Sequence, residues 1–237
     1  MPLPNDARMF SRLGRTLECA VVLAVVFAPT VYRSTIYAAW LWQHPGSAAY
    51  HAAFNDGALL ELVRAEVMTI LAVAWFLWMC GWTRVGARLQ MSISGTGLGA
   101  GLALAALLLS DIPLWVWSWV LPQHFAAAAS VLPRQAGLSL PVIVVSSAVN
   151  GFFEELFLCG YLIGSAAAFH QRAIWAGISM LLRFSYHTYQ GPAGLVSIVM
   201  VGGLWTLYFL LARRLWPVIV AHICLDIAGL WALLSQA

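Results

Sequence analysis

The 237-residue sequence contains no lysine and few charged residues of any kind. All 12 basic residues are arginines, charged residues make up 9% of the chain, and hydrophobic residues make up 62%. This composition, with a mean hydropathy of +0.84, is too apolar for a soluble domain of this length. The arginines form no basic stripe, so we expect no nucleic-acid partner. The sequence predicts an integral membrane protein surrounded by the lipid bilayer.

Motifs of redox and metal sites are also missing. The four cysteines are widely separated in apolar segments and form no CxxC pair, so we interpret them as buried thiols. They are Cys19, Cys80, Cys159 and Cys224. No HExxH sequence is present, so no zinc protease of that helical type is expected.

Seven hydrophobic stretches are long enough to cross a bilayer, which takes about 20 mostly apolar residues. They cover 17–41, 66–82, 98–121, 138–168, 173–189, 194–212 and 215–234. Asp111 and Pro113 interrupt the third stretch, so an eighth span stays an alternative. We interpret 43–65 as a connector and 122–137 as a loop.

These stretches predict an all-α fold, a polytopic transmembrane helical bundle of about seven to eight spans. No repeat or low-complexity linker divides the chain, so one membrane domain is expected. Within it, 1–137 supplies the N-terminal transmembrane helices and 138–237 the helical core that carries the polar residues.

Four glycines alternate at the start of the third predicted span, at positions 95, 97, 99 and 101. Such a run is typical of a nucleotide-binding loop only where it follows a strand, which this one does not. We therefore expect close helix packing through Gly97 and Gly101, and we interpret Gly202 and Gly203 in the same way.

The positions of the arginines predict the orientation. Eight fall at the N-terminus or in the even-numbered turns between spans: Arg8, Arg12, Arg15, Arg84, Arg88, Arg172, Arg213 and Arg214. Only Arg33, Arg64 and Arg134 lie near the opposite boundary. Because arginine accumulates on the cytoplasmic side, we expect a multi-pass protein of the cell membrane with a cytoplasmic N-terminus.

Polar side chains at membrane depth collect in the last four predicted spans. They are Asn150, Glu154, Glu155, Arg183, His187, His222 and Asp226. An acidic or basic side chain in the bilayer costs about 2.5 to 3.5 kcal/mol even on lenient scales, so these residues should meet. Adjacent residues point about 100° apart on a helix, so Glu154 and Glu155 should have different roles.

This set of residues is suited to hydrolysis. One carboxylate can take a proton from water with the help of an imidazole, and the other can be held by a cation. A second imidazole, oriented by a carboxylate, can donate to the oxyanion that forms when water attacks a carbonyl. A proton- or ion-coupled transporter uses similar residues and stays an alternative, although no inverted repeat is evident.

Three segments of the C-terminal half resemble the three motifs of the CPBP family. The first is Glu154-Glu155 followed by Gly160-Tyr161, the second is Leu182–Gly191, and the third is Trp216–Asp226. That family contains the CAAX prenyl endopeptidases and the bacteriocin-processing or immunity proteins, and the likeness covers roughly residues 138–234. The resemblance implies an intramembrane endopeptidase that acts on a membrane-associated peptide or protein.

The resemblance also assigns roles by motif position. Glu154 would be the general base that activates water together with His187, and Glu155 a supporting carboxylate. His222 and Asp226 would stabilise the oxyanion.

Asn150 and Arg183 are expected to support this site. No cofactor is required in this scheme. A divalent metal such as zinc stays an alternative, with His187, His222 and Glu154 as ligands.

Two positions depart from the family pattern. The first motif usually reads Glu-Glu-x-x-x-Arg, and Cys159 stands at the arginine position. The second usually has Phe four residues before His187, where Arg183 stands. We hypothesise that Arg183 supplies the missing cation and pairs with Glu155, the alternative being that it reaches the membrane interface. The Cys159 change favours a second function, a non-catalytic bacteriocin-immunity or regulatory membrane protein of the same fold.

Overall fold

The computed structural model describes residues 12–44, 55–79, 89–129, 137–166 and 168–234. Its α-helices are α1 (Arg12–Gln43), α2 (Asp56–Met79), α3 (Ile93–Val120), α4 (Pro122–Ala129), α5 (Leu140–Glu155), α6 (Phe169–Tyr186), α7 (Gly191–Ala212) and α8 (Trp216–Leu234). A π-helix, Leu156–Ile163, continues α5, and a 3-10 turn, Thr188–Gln190, joins α6 to α7. These ranges contain no strand, so the predicted all-α fold is confirmed.

Each predicted span corresponds to one of these helices. Five helical segments are long and apolar enough to cross a membrane: Leu17–Leu41, Asp56–Met79, Ile93–Val120, Leu140–Ile163 and Thr188–Ala212. The apolar part of α8 is shorter, Trp216–Ala232, and α6 contains Arg172 and Arg183. The chain is a polytopic helical membrane protein, in which the two helices that fall short of a full apolar span carry polar residues of the predicted site.

The predicted connector 43–65 is wrong in its second half, because α2 begins at Asp56. The side chain of Asn55 caps this helix by accepting a hydrogen bond from the backbone N–H of Ala58 at 2.9 Å. Glu61 and Arg64 then pair across one helical turn at 2.6 Å on the exposed face. The charges of Glu61 and Arg64 are therefore compatible with a helix, because both side chains stay exposed.

The expected breaks in and after the third span are also wrong in part. Helix α3 runs through Asp111 and Pro113 without interruption. A membrane helix tolerates proline because neighbouring groups can satisfy the carbonyl that it leaves unpaired. The expected loop 122–137 opens with the short helix α4.

None of the three described cysteines forms a disulfide. Cys19 and Cys159 are buried as predicted, whereas Cys224 is only half-buried. Cys80 lies outside the described residues.

The α5 helix and its π-helical continuation form the centre of the bundle. In the most apolar 18-residue stretch of Leu140–Ile163, 56% of the residues are buried, whereas the corresponding share in α2 is 17%. Helices α2 and α8 pack against α5, and α3 packs on the other side of α8. Residues of α5 and α8 are therefore shielded from lipid by the outer helices, and polar groups on them can meet one another.

Helix α3 approaches α8 through Gly95 and Gly99, not through the predicted Gly97 and Gly101. A Cβ atom at Gly99 would lie 2.6 Å from Val220 Cβ and 2.7 Å from the carbonyl oxygen of Pro217. At Gly97 and Gly101 an added Cβ would meet nothing within 4 Å. The expectation of close packing was correct, but it chose the wrong face of the helix, because alternating glycines do not indicate which pair faces a neighbour.

Replacing Gly99 with alanine is expected to lower the free energy of unfolding by about 1 to 3 kcal/mol, the usual effect of overpacking. The rigid backbone of α8 at Pro217 cannot yield to the new methyl group as a flexible side chain could. Thermal unfolding in detergent measures the change, and Gly101→Ala is the matched control with no neighbour to meet. Equal midpoints for the two variants would contradict the close approach at Gly99.

Candidate active site

The two adjacent glutamates end the regular part of α5. Immediately after Glu155 the chain continues as a π-helix, in which the N–H of Gly164 donates to the carbonyl of Cys159 at 2.9 Å. Segments of this kind are rare and occur frequently at functional sites. Sequence reasoning did not predict the π-helix, because no residue in 156–163 is a recognised signal for one.

Glu155 is completely enclosed. Its Oε1 accepts a hydrogen bond from Arg183 Nη2 at 2.7 Å and lies 2.7 Å from His222 Nδ1. Its Oε2 accepts from Cys159 Sγ at 3.3 Å, four residues further along the chain. With 0% of its surface exposed, Glu155 joins α5, α6 and α8 and has no oxygen left for water.

Glu154 has a different environment, since all its contacts are made by one oxygen. Oε2 accepts hydrogen bonds from Tyr186 Oη and, at 3.3 Å, from Arg183 Nη1. His222 Nε2 lies 3.9 Å from the same atom. Within the described residues Oε1 has no hydrogen-bond partner, and the residue keeps 7% of its surface exposed. The two carboxylates therefore occupy different environments, as their 100° separation predicted.

Arg183 connects the two carboxylates. Its two terminal nitrogens contact Glu154 and Glu155 separately, and only 2% of the residue is exposed. The predicted pairing of Arg183 with Glu155 is confirmed, whereas its role as a replacement for the motif arginine at position 159 stays a prediction. The alternative, in which it reaches the membrane interface, is wrong, because the charges of the two glutamates hold the guanidinium inside.

Helix α7 provides the space for this arginine. A Cβ atom at Gly202 would lie 2.5 Å from Arg183 Cδ, so only glycine leaves room for the side chain. The guanidinium carbon lies 5.6 Å from the ring centre of Trp205, which adds a cation–π contact. The neighbouring Gly203 faces open space and has no such role.

His222 presents one nitrogen to the site. Its Nδ1 carries a proton, because the carboxylate oxygen of Glu155 can only accept. Its Nε2 lies 3.6 Å from Asp226 Oδ1, which is longer than a hydrogen bond. Asp226 is held by Asn150, whose Nδ2 donates to Oδ2 at 3.0 Å. The predicted supporting residue Asn150 thus orients the acid beside His222, and Nε2 remains available to a ligand.

Helices α5 and α8 approach closely at this histidine. A Cβ atom at Gly151 would lie 2.9 Å from Ile223 Cγ1 and 3.4 Å from His222 Cβ. The ring of Trp205 lies 4.8 Å from the imidazole on the other side. His222 therefore has little freedom to turn away from Glu155.

His187 follows the last residue of α6, at the edge of this cluster. Its Nδ1 lies 2.9 Å from the carbonyl oxygen of Arg183, which can only accept, so Nδ1 carries the proton and Nε2 offers a lone pair. The half-buried ring lies between Tyr186 and Tyr189, with ring centres 4.4 and 6.1 Å away. No hydrogen bond joins His187 to Glu154 in the described chain, so cooperation between the two needs a bridging water.

A contact from the first helix fixes the turn that bears His187. Ser34 Oγ lies 2.8 Å from Thr188 Oγ1 and accepts a hydrogen bond from the backbone N–H of Tyr189 at 3.0 Å. Ser34 is 4% exposed, so water cannot replace these bonds. The N-terminal helices therefore position a residue of the C-terminal core.

Replacing Ser34 with alanine is expected to lower the stability of this turn by about 1 kcal/mol, since the hydrogen bond from the Tyr189 N–H to Ser34 is lost. Faster hydrogen exchange over residues 187–190 would show the effect. Ser118→Ala is the control, because the hydroxyl of Ser118 only contacts the carbonyl of Trp115 on its own exposed helix. Unchanged exchange in Ser34→Ala would mean that α1 does not fix the turn.

One group of residues has the spacing of metal ligands. Glu154, Glu155 and His222 each offer one atom, and these atoms lie within 4.8 Å of one another. His187, which the sequence suggested as a ligand, is not in this group. The guanidinium of Arg183 already contacts both carboxylates, and a cation placed there would have to displace it. The donor set therefore fits zinc poorly.

Sequence reasoning missed three residues of this site: Tyr186, Trp205 and Ser34. Tyr186 lies three residues after Arg183, so the helical period could have placed it on the same face. Trp205 and Ser34 lie far from the motifs in sequence, and no local pattern indicates them.

Comparison with known families agrees with the three motifs. Residues 136–228 match the family model described as type II CAAX prenyl endopeptidase Rce1-like. No curated protein and no solved structure matches the chain. The matched segment contains Glu154, Glu155, Arg183, His187, His222 and Asp226. The predicted resemblance is therefore confirmed over residues 136–228, where the chain is similar to the Rce1-like type II CAAX prenyl endopeptidase family.

Proposed function

We propose that the protein is an intramembrane endopeptidase, which hydrolyses a peptide bond in a membrane-associated peptide or protein through a water activated by Glu154 and His187. The observation that carries this proposal is the asymmetry of Glu154, whose Oε2 is fixed by Tyr186 and Arg183 while Oε1 has no partner among the described residues. A fixed carboxylate with one open oxygen is suited to take a proton from water.

The positions of the donors and acceptors support the following reaction. Water held between Glu154 Oε1 and His187 Nε2 attacks the substrate carbonyl and gives one proton to Glu154. As an imidazolium between Glu155 and Asp226, His222 donates its Nε2–H to the oxyanion. The C–N bond then breaks, and the proton on Glu154 passes to the leaving amine.

Glu155 and Arg183 support this reaction without touching substrate. Both oxygens of Glu155 are used by protein donors, and its contact with His222 fixes that ring. Arg183 keeps the two adjacent carboxylates together despite their like charge. We therefore assign them to positioning.

We also propose that catalysis needs no metal, because Arg183 already occupies the cation position between the two carboxylates. Unchanged cleavage after treatment with a chelator, together with metal analysis of the purified protein, is the expected result. Loss of cleavage that zinc restores would contradict this part of the proposal.

The setting that we propose is the cell membrane, with the N-terminus in the cytoplasm. The arginine distribution supports this orientation. A cysteine introduced near the N-terminus of a variant without the native cysteines should react with a membrane-impermeant thiol label only in opened membranes, and labelling in intact cells would contradict this orientation.

The proposed activity is tested by incubating the purified protein in lipid with a library of membrane-anchored peptides and identifying products by mass spectrometry. Wild type is expected to cleave, and Glu154→Ala and His187→Ala are expected not to. Cleavage that persists in both variants would remove the proposed site. No cleavage by any form would favour the non-catalytic immunity or regulatory role.

A further inference from the structure

One acidic residue lies on the inward face of α2. The buried residues of this helix are Leu59, Glu66, Val73 and Leu77. Spacings of seven and four place them on one side of the helix. Glu66 therefore points inward with the three apolar residues, in a helix that mostly faces lipid. The sequence prediction had started this span at residue 66, and so had placed the acid at a membrane boundary.

Contacts on either side fix the depth of Glu66. Leu59 shares a cluster of buried residues with Ile143 of α5, and Val73 shares another with Phe153 of α5. Helices α2 and α5 therefore run side by side in the same direction. Glu66 lies halfway between Leu59 and Val73, which places it at the level of residues 147–150.

Glu66 is close enough to the charged residues of the site to interact with them electrostatically. Glu66 interacts electrostatically with Glu154, Asp226 and His222. It has no ion pair of its own in the described part of the chain, unlike Glu154 and Glu155. Its position is therefore beside the proposed active site, on the side of α2.

Two polar atoms at this level have no partner within the described residues. They are Glu66 Oε2 and Ser147 Oγ, on facing helices, and both are sealed from bulk solvent. Glu66 is 5% exposed and Ser147 is 1% exposed. Buried polar groups are seldom left unpaired, and ordered water is their usual partner where protein donors are missing. Ordered water between α2 and α5 would satisfy two such atoms on packed helices.

We propose that Glu66 and Ser147 hold an internal water site between α2, α5 and α8, which supplies the hydrolytic water to Glu154. The inference rests on the proposed function, since water is the second substrate of hydrolysis and lipid excludes it. Ser147 lies seven residues before Glu154, two turns along the same face of α5. Glu66 is a positioning residue that acts through bound water.

Replacing Glu66 with leucine tests this role, because leucine has a similar volume and cannot bind water. The kcat for peptide cleavage is expected to fall at least about tenfold, as for one lost hydrogen bond, with KM unchanged. Thermal stability should stay equal or rise, because an unpaired buried carboxylate is removed. Glu66→Gln, which still binds water, should recover most of the activity.

Glu61→Leu is the matched control, since Glu61 lies on the exposed face of the same helix. It should leave kcat unchanged. A wild-type kcat in Glu66→Leu would overturn the proposal. So would a loss of stability that accompanies the loss of kcat, because a purely structural role predicts that result.

A second measurement does not depend on activity. In water-edited solid-state NMR of the protein in lipid, with ¹³C-labelled glutamate, magnetisation should pass from water to the Glu66 carboxyl faster than to that of Glu155. Glu155 is the dry reference, because its oxygens are bound by protein groups. Transfer as slow as that to Glu155 overturns the water site even if the protein cleaves peptides. Fast transfer in a protein that cleaves nothing supports the water site and contradicts the proposed function alone.

Discussion

Replacing Glu154 with glutamine is expected to lower kcat by about 10² to 10⁴, the usual contribution of a general base, while the fold is preserved. Glutamine keeps the shape of the side chain, and its amide oxygen can still accept from Tyr186 and Arg183. What is lost is the open, basic Oε1. The loss should therefore appear mainly in cleavage. The loss of stability should be smaller than that of Glu155→Gln, because Arg183 keeps its shorter ion pair with Glu155.

The neighbouring substitution, Glu155→Gln, should mainly lower the stability of the protein, because Glu155 does not contact substrate. Glu155 bonds to Arg183, Cys159 and His222 and is 0% exposed. Removing one partner of a buried ion pair typically costs about 3 to 5 kcal/mol, so this variant should unfold well below wild type. Each variant is the control for the other, since both make the same chemical change one residue apart. Equal losses of stability would contradict the division of roles.

Replacing Arg183 with leucine is expected to destabilise the protein by about 3 to 5 kcal/mol and to abolish cleavage. The two adjacent carboxylates then lose their common cation inside the bundle. Arg64→Leu is the control, because the pair of Arg64 with Glu61 is exposed and should contribute about 1 kcal/mol or less. Thermal unfolding in detergent should show a large decrease in the midpoint for Arg183→Leu and little change for Arg64→Leu.

Adding Cys159→Arg to Arg183→Leu should restore part of the stability and cleavage that Arg183→Leu removes. Cys159 is one turn from Glu155 and 3.3 Å from its Oε2, so an arginine there returns the cation to the position that the CPBP motif gives it. Cys159→Arg combined with Arg183→Leu is expected to be more stable than Arg183→Leu alone and to regain part of the cleavage. Failure of the double variant to regain any stability would mean that the two positions are not equivalent.

The sequence predicted the helices because hydropathy alone decides whether a segment enters a bilayer. It did not predict their ends, because charged residues such as Glu61 and Arg64 can continue a helix beyond its apolar part. The prediction that Gly97 and Gly101 face the neighbouring helix was wrong for a related reason. Which glycine meets a neighbour depends on how the helices are assembled, and the local pattern is the same for both faces.

The centre of the site followed from the sequence because ionisable groups in lipid have to meet, and only one arginine lay among the acids of the core. The specific pairing of Arg183 with Glu155 came from the resemblance, in which Cys159 stands at the arginine position of the first motif. Sequence reasoning missed Ser34, whose partner Thr188 is 154 residues away, because no periodicity links the two. It missed Glu66 because an error in one helix boundary moved that acid to the membrane surface.

The measurement that most directly tests direct water activation by Glu154 is a single turnover in H₂¹⁸O, with mass analysis of both the product and the protein. We predict one ¹⁸O atom in the new carboxyl terminus of the product and none in the side chain of Glu154. Label in the Glu154 carboxylate would show that this glutamate forms a covalent intermediate with the substrate, which would contradict its assignment as the base that activates water.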